Sequence, residues 1–151
     1  MRRLSERSNR AGPAGDGPIG VLICDDTEAM RVLVRQVIGL RSSLRVVGEA
    51  GDGNAAIVEA KRLQPDVIML DLAMPRRTGL EALSELRRVA PAARIIVFSG
   101  FSETSVIEEV LELGADAFLS KGSEVDEIND AIEAVVARTS DPLVTDSAVP
   151  E

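Results

Sequence analysis

The chain has 151 residues, 45% of them hydrophobic and only 2% aromatic, with one cysteine and a formal net charge of −8. That apolar mass suits one compact domain with a core of Val, Ile, Leu, Ala and Met. The lone Cys24 excludes an internal disulfide and fits a reducing, cytoplasmic setting. The acidic balance disfavours direct contact with nucleic-acid phosphates, and no apolar stretch is long enough to be a signal peptide or to span a bilayer, so no membrane role is expected.

In chain order, residues 1–18 carry four Arg against two acids and no apolar periodicity, which predicts a disordered leader. Val21–Cys24 is a short, wholly apolar run, as a buried parallel strand should be. Glu28–Leu40 reads as a helix with Met30, Leu33, Val34, Val37 and Ile38 on its buried face. Arg45–Ala50 is β-branched and ends in Gly51-Asp52-Gly53. Asn54–Leu63 reads as a helix burying Ala55, Ile57, Val58 and Leu63. Val67–Leu70 is a second apolar run closed by Asp71, and Gly79–Val89 a helix through Leu80, Leu83 and Leu86. Arg94–Phe98 is a strand, Glu103–Leu113 a helix with Gly114 as a left-handed C-cap. Ala117–Leu119 is a short strand, followed by an amphipathic helix over Val125–Val136 with Ser123 and Asp126 as a capping box. Residues 138–151 read as a flexible tail.

Five strands alternating with five helices imply a parallel sheet covered on both faces, with function at the carboxyl ends of the strands. Those ends carry Cys24-Asp25-Asp26, Asp71, Ser99-Gly100 and Ser120-Lys121. Three converging carboxylates repel unless a cation sits among them. An open, all-oxygen ligand set suits Mg²⁺. With Lys121 as a second positive charge and Ser99 as a hydrogen-bond donor, the set would neutralise a phosphoryl group carried by Asp71. Singly, each residue has a plainer reading: an N-cap at Asp25 or Asp26, a turn cap at Asp71, a loop hydroxyl at Ser99, a solvated ammonium at Lys121. Their agreement at four strand ends is what makes the set specific.

On these residues the sequence resembles the response-regulator receiver domain of two-component signalling over about residues 19–137. The resemblance rests on the acid pair Asp25-Asp26, the segment Asp71-Leu72-Ala73-Met74-Pro75 with Gly79 beyond it, Ser99 and Lys121. It implies a doubly wound (βα)5 flavodoxin-like α/β fold with strand order 2-1-3-4-5. It implies Asp71 as phosphoacceptor and Mg²⁺ held by Asp26, Asp71 and the Ala73 carbonyl, with Asp25 acting mostly through water. Ser99 and Lys121 would hold the phosphate, and Phe118 would share a switch role with Ser99. The donor would be a phosphohistidine on a sensor histidine kinase or phosphotransfer protein, and beyond self-phosphorylation and slow autodephosphorylation no enzymatic turnover is implied.

Several features bear on how such a module would work. Gly122 follows Lys121 where many relatives have proline, so a trans peptide is expected. Ala73 and Phe101 cannot orient a hydrolytic water, which suggests a long-lived phosphorylated state; the alternative is that Phe101 only packs on the next helix. Arg76-Arg77 reads first as a solvated loop. Residues 95–137 hold ten acids against Lys121 alone, on the fourth helix, fifth strand and fifth helix. That face suits a basic downstream protein partner better than its own copy, so a monomer or weak dimer is expected. A stand-alone receiver is the favoured reading, and the receiver part of a longer helix-turn-helix regulator the alternative. A phosphatase with an aspartate nucleophile needs a second acid where Ala73 stands. A flavodoxin-like cofactor carrier needs a phosphate-binding loop where Asp25-Asp26 would repel phosphate. An inert scaffold would have no use for the full acceptor set.

Overall fold

The computed structural model describes residues 17–100, 104–137 and 143–145. The strands are β1 (Ile19–Cys24), β2 (Leu44–Ala50), β3 (Val67–Leu70), β4 (Arg94–Ser99), β5 (Ala117–Ser120) and β6 (Leu143–Thr145). The helices are α1 (Glu28–Ile38), α2 (Gly53–Leu63), α3 (Gly79–Val89), α4 (Thr104–Glu112) and α5 (Val125–Ala137). All strand pairs are parallel, in the order β2-β1-β3-β4-β5-β6. The expected doubly wound order 2-1-3-4-5 is therefore present, with one strand added at its end.

That sixth strand differs from the expectation of a flexible tail: Leu143–Thr145 pairs in parallel with Ala117–Leu119. Three residues are too few to show a period of two, so the pattern could not announce it. The rest of the expected tail, residues 1–16 of the expected leader, and Phe101 lie outside the described residues.

Central β1 and β3 are buried at every position, because helices cover both faces of the sheet. On one face α2, α3 and α4 pack Ala56, Ala60, Ala82, Leu83, Leu86, Ile107 and Val110 against Leu22, Ile68, Leu70, Ile95 and Val97. On the other, α1 and α5 pack Val34, Val37, Ile38, Ile128, Ile132 and Val135 against Val21, Ile23, Met69, Ile96 and Leu119. The alternation of side chains along each strand assigns neighbours to opposite layers.

Helix faces were less legible than strands. In α2 the fully buried positions are Ala56 and Ala60, whereas Val58 is 61% exposed and Ala55, Ile57 and Leu63 are only partly covered. The helix lies so close to the sheet and to α3 that only small residues fit beneath it, which reverses the usual link between size and burial. In α1, Leu33 is likewise exposed, while Val34, Val37 and Ile38 are buried. The start of α5 also differs. Glu124 N–H donates to Glu127 Oε1 at 2.8 Å, and the buried Ser123 Oγ has no partner among the described residues, so Ser123 and Asp126 form no capping box. Gly114, by contrast, takes the left-handed backbone expected of it, at φ +115°.

The contrast within α2 has a measurable consequence. Ala56→Leu should destabilise the protein by about 1–3 kcal/mol through overpacking. Val58→Ala should change stability by less than about 0.5 kcal/mol, as at an exposed site. Urea unfolding of both variants checks this, and the reverse ranking would contradict the packing described.

Candidate functional site

The register of the sheet brings the acids together. Cys24 pairs with Leu70, so Asp25 and Asp71 leave neighbouring strands at the same level. Asp71 N–H donates to the Cys24 carbonyl at 2.9 Å, and Asp25 N–H to that of Ala50 at 3.0 Å, extending the ladders one step beyond the strands. Asp25 and Asp71 are buried and Asp26 is exposed, and one carboxylate oxygen from each lies within 4.8 Å of the others. Asp25 Oδ1 accepts from Thr27 N–H at 2.9 Å. The N-cap of α1 is Thr27, so neither acid of the pair is spent on that role.

Lys121 reaches in from the end of β5. Its Nζ lies 2.9 Å from Asp25 Oδ2 and 3.4 Å from Asp71 Oδ1. Its backbone N–H donates to the Ser99 carbonyl at 2.9 Å, which fixes the stem. Burial opposes the charge on Lys121, but the hydrogen bond to Asp25 and the charge of Asp71 outweigh it and hold the ammonium above its ordinary range. At Asp71 burial prevails: it raises the carboxyl above the usual range despite Lys121, and Asp25 adds to the effect. The thiol of Cys24, wholly buried and beside Asp25, is pushed far up and stays protonated. The donor set is therefore all oxygen, which fits a hard divalent cation such as Mg²⁺ and not a thiophilic metal.

Ser99 and Ala73 lie at the same edge, whereas Phe118 lies within the core. Ser99 is fully buried and pairs in register with Ser120. Ala73 N–H approaches Asp71 Oδ1 at 3.4 Å. Phe118 is buried in the core on the α4 side of the sheet, three residues before Lys121. The Lys121–Gly122 bond is trans, and the loop is closed instead by Gly122 N–H donating to Ser120 Oγ at 3.0 Å.

Some supporting residues escaped the sequence reading. Arg31 donates from Nη1 to the Asp25 carbonyl at 2.6 Å and from Nε to Glu49 at 3.1 Å, bracing the acid pair from α1. A Cβ on Gly79 would lie 2.0 Å from the Asp71 carbonyl oxygen, and one on Gly53 2.1 Å from that of Arg77. These two glycines allow α2 and α3 to press against the loop after Asp71. In that loop Arg76 adopts φ +65° and its Nε donates to Asp52 Oδ2 at 2.9 Å, so it is tethered as well as solvated. Thr78 and Glu81 form a full capping box that ends the loop. Two signals were readable: Thr78-x-x-Glu81, and Asp52, which caps α2 by accepting from Ala55 N–H at 2.8 Å. Arg31 had no local signal, because its partners come from β1 and β2.

A parallel sheet in this strand order, with an acid cluster at its strand ends met by a lysine from the end of β5, defines a doubly wound α/β class with a candidate cation site at those ends. Residues 21–133 match the family model described as response regulator receiver domain. The chain belongs to that family of two-component signalling domains.

Relatives support the assignment. The chain is 38% identical over 120 residues to the nitrate/nitrite response regulator protein NarL of Escherichia coli, covering 80% of this chain and 56% of that protein. It is 32% identical over 115 residues to the chemotaxis protein CheY of Thermotoga maritima, covering 76% of this chain and 95% of that one. The receiver domain of a putative NarL from Mycobacterium tuberculosis superposes with a TM-score of 0.77 at 32% identity, over 82% of this chain and all of that one. The chain thus spans little more than half of the NarL it matches and nearly all of a CheY. Receiver domains are in general non-enzymatic signalling domains that bind Mg²⁺ at an acidic Asp cluster and interact with histidine kinases or phosphotransfer proteins. Among the described residues, no helix is long and apolar enough to cross a membrane.

The raised carboxyl of Asp71 gives a signed pH effect. In the folded protein it resists ionisation, so its charge costs stability above the folded pKa and nothing below the unfolded one. Asp71→Asn should raise the thermal midpoint at neutral pH without divalent cations, and the gain should fade as pH drops through the carboxylate range. A gain that persisted unchanged at acid pH would assign the effect to something other than charge.

Proposed function

We propose that the chain accepts a phosphoryl group on Asp71 from a phosphohistidine donor and signals through contacts with other proteins. The observation that carries this reading is the placement of Lys121 Nζ between Asp25 and Asp71 at the strand ends where three carboxylates meet. In the transfer, a carboxylate oxygen of Asp71 bonds to phosphorus while the phosphorus–nitrogen bond of the donor breaks, its electron pair returning to the imidazole. An acyl phosphate remains on Asp71.

Asp25, Asp26, Asp71 and the Ala73 carbonyl would hold Mg²⁺, whose chemistry when bound is to neutralise charge on the phosphoryl oxygens. Lys121 is already beside the nucleophile and would pair with the new phosphate in place of the Asp71 charge. Ser99, buried at the end of β4, would donate its hydroxyl to a phosphate oxygen, and Phe118 would respond from within the core. These are the switch pair of the proposal. Ala73, small and exposed, offers no group to orient a hydrolytic water, so slow loss of phosphate is expected. The downstream surface is the acidic face of α4, β5 and α5, with a basic protein as partner.

Mixing the chain with Mg²⁺ and a phosphorylated histidine phosphotransfer protein tests the central claim. Label should move to wild type and not to Asp71→Asn. Asp26→Asn should weaken Mg²⁺ binding by at least about tenfold, since loss of even an indirect partner of a metal ligand costs that much. The phosphorylated chain should then persist for minutes or longer; a half-life of seconds would refute the slow-hydrolysis reading.

The stand-alone form is favoured by the near-complete coverage of a CheY; a longer helix-turn-helix regulator is favoured by the identity to NarL. The mass of the native protein decides between them. A value of 16.1 kDa supports the first, and a substantially larger one the second.

A further inference from the structure

The sixth strand lies on the surface assigned above to a downstream partner. β6 pairs with the outer edge of β5 through Ala117↔Leu143, Phe118↔Val144 and Leu119↔Thr145. It also packs against α5. An edge strand presents a row of unpaired N–H and C=O groups to any extended peptide, and here a short piece of the chain itself fills that row.

The filling is electrostatically poor. In sequence, Asp141 precedes β6 by two residues and Asp146 follows it directly. The helices on either side of β5 are acidic as well, but not uniformly so. On α5, Asp130 and Glu133 are gathered by Arg41 from the end of α1 at 2.8 and 3.0 Å, with Asp126 at 3.7 Å. Asp116 is tied to Arg87 at 2.9 Å and to Arg94. On α4, Glu108, Glu109 and Glu112 are exposed and have no cationic partner among the described residues. Acids without a cationic partner among the described residues thus remain on α4 and, with Glu124 and Glu127, at the start of α5, the two helices that contact β5, and the residues flanking β6 in sequence are acidic too. Three residues of pairing held against like charge make a weak occupant.

We propose that the outer edge of β5 is a docking edge for an extended, basic segment of a partner protein, and that β6 is an intramolecular placeholder which that segment displaces. The recognition is strand addition: main-chain pairing supplies affinity, and flanking charges supply specificity. A segment with Leu-Val-Thr-like character and lysine or arginine flanks would keep the pairing of β6 and turn its repulsion into attraction. The inference rests on the reading of this face as the partner surface, and not on phosphoryl chemistry at Asp71.

The probes are two synthetic peptides, Lys-Lys-Leu-Val-Thr-Lys and Asp-Pro-Leu-Val-Thr-Asp, titrated against the full chain. Alternate residues of a strand turn their N–H groups to opposite sides, so Val144→Pro and the double variant Leu143→Pro with Thr145→Pro are both made, and at least one removes pairing to β5. The lysine-flanked peptide should bind that variant at least about tenfold more tightly than wild type, and the aspartate-flanked peptide should bind about tenfold more weakly than the lysine-flanked one, as expected of a few exposed ion pairs. Raising NaCl from about 0.02 to about 0.5 M shortens the screening length from roughly 20 to 4 Å. Affinity for the lysine peptide should then fall, while hydrogen-exchange protection of residues 143–145 in the free wild-type chain rises. Adding the lysine peptide to wild type should remove that protection, a reading that needs no variant to fold. If the lysine peptide binds but leaves protection at 143–145 and affinity across the variants unchanged, the acidic partner face survives and the docking edge is refuted. If it does not bind at all, both are.

Discussion

The parallel sheet forces like charges together. Its register sets Asp25 and Asp71 side by side at the ends of β1 and β3, both buried, with Asp26 within reach. Such a cluster is unfavourable without positive charge, and among the described residues Lys121, from the end of β5, supplies a cation to it. Much of the local architecture serves this contact. The Ser99 carbonyl fixes the lysine backbone, Ser120 closes the loop behind it, and Arg31 braces the Asp25 carbonyl from α1. A phosphorylated Asp71 would change the charge that Lys121 faces, and β5 would be the first strand to register it.

That strand connects the two ends of the proposed signal. Its carboxyl end holds Lys121, its middle holds the buried Phe118, and its outer edge carries β6. In the proposed scheme, a change at the acid cluster would reach the docking edge through four residues of one strand, Ala117–Ser120. The acidic surface gains definition from the same geometry. Arg41, Arg87 and Arg94 neutralise part of it, and the acids without a cationic partner among the described residues sit on α4 and at the start of α5, so a basic partner meets bounded patches and not a uniform field.

How far the sequence could be read depended on how local each cause is. The apolar runs Val21–Cys24 and Val67–Leu70 announced buried strands because a central parallel strand has no polar face to show. Asp25, Asp26, Asp71, Ser99 and Lys121 were legible as a group because each ends a strand, and strand ends in this fold converge. Val58 is exposed where its apolar character predicts burial, since an exposed valine and a buried one look alike until the neighbouring helix is in place. The role of Gly53 against the Arg77 carbonyl was invisible for the same reason: its neighbour lies 24 residues away.

By itself, then, the sequence determined the alternation of strands and helices and the identity of the acid cluster, because periodicity and strand-end chemistry are written in contiguous residues; the order of the central sheet followed only from the family resemblance. Only the tertiary structure decided which acids are paired and which stand open, why alanines and not larger residues lie beneath α2, and that Leu143–Thr145 closes the sheet. Those outcomes depend on distances between segments far apart in the chain, and no local pattern encodes a distance.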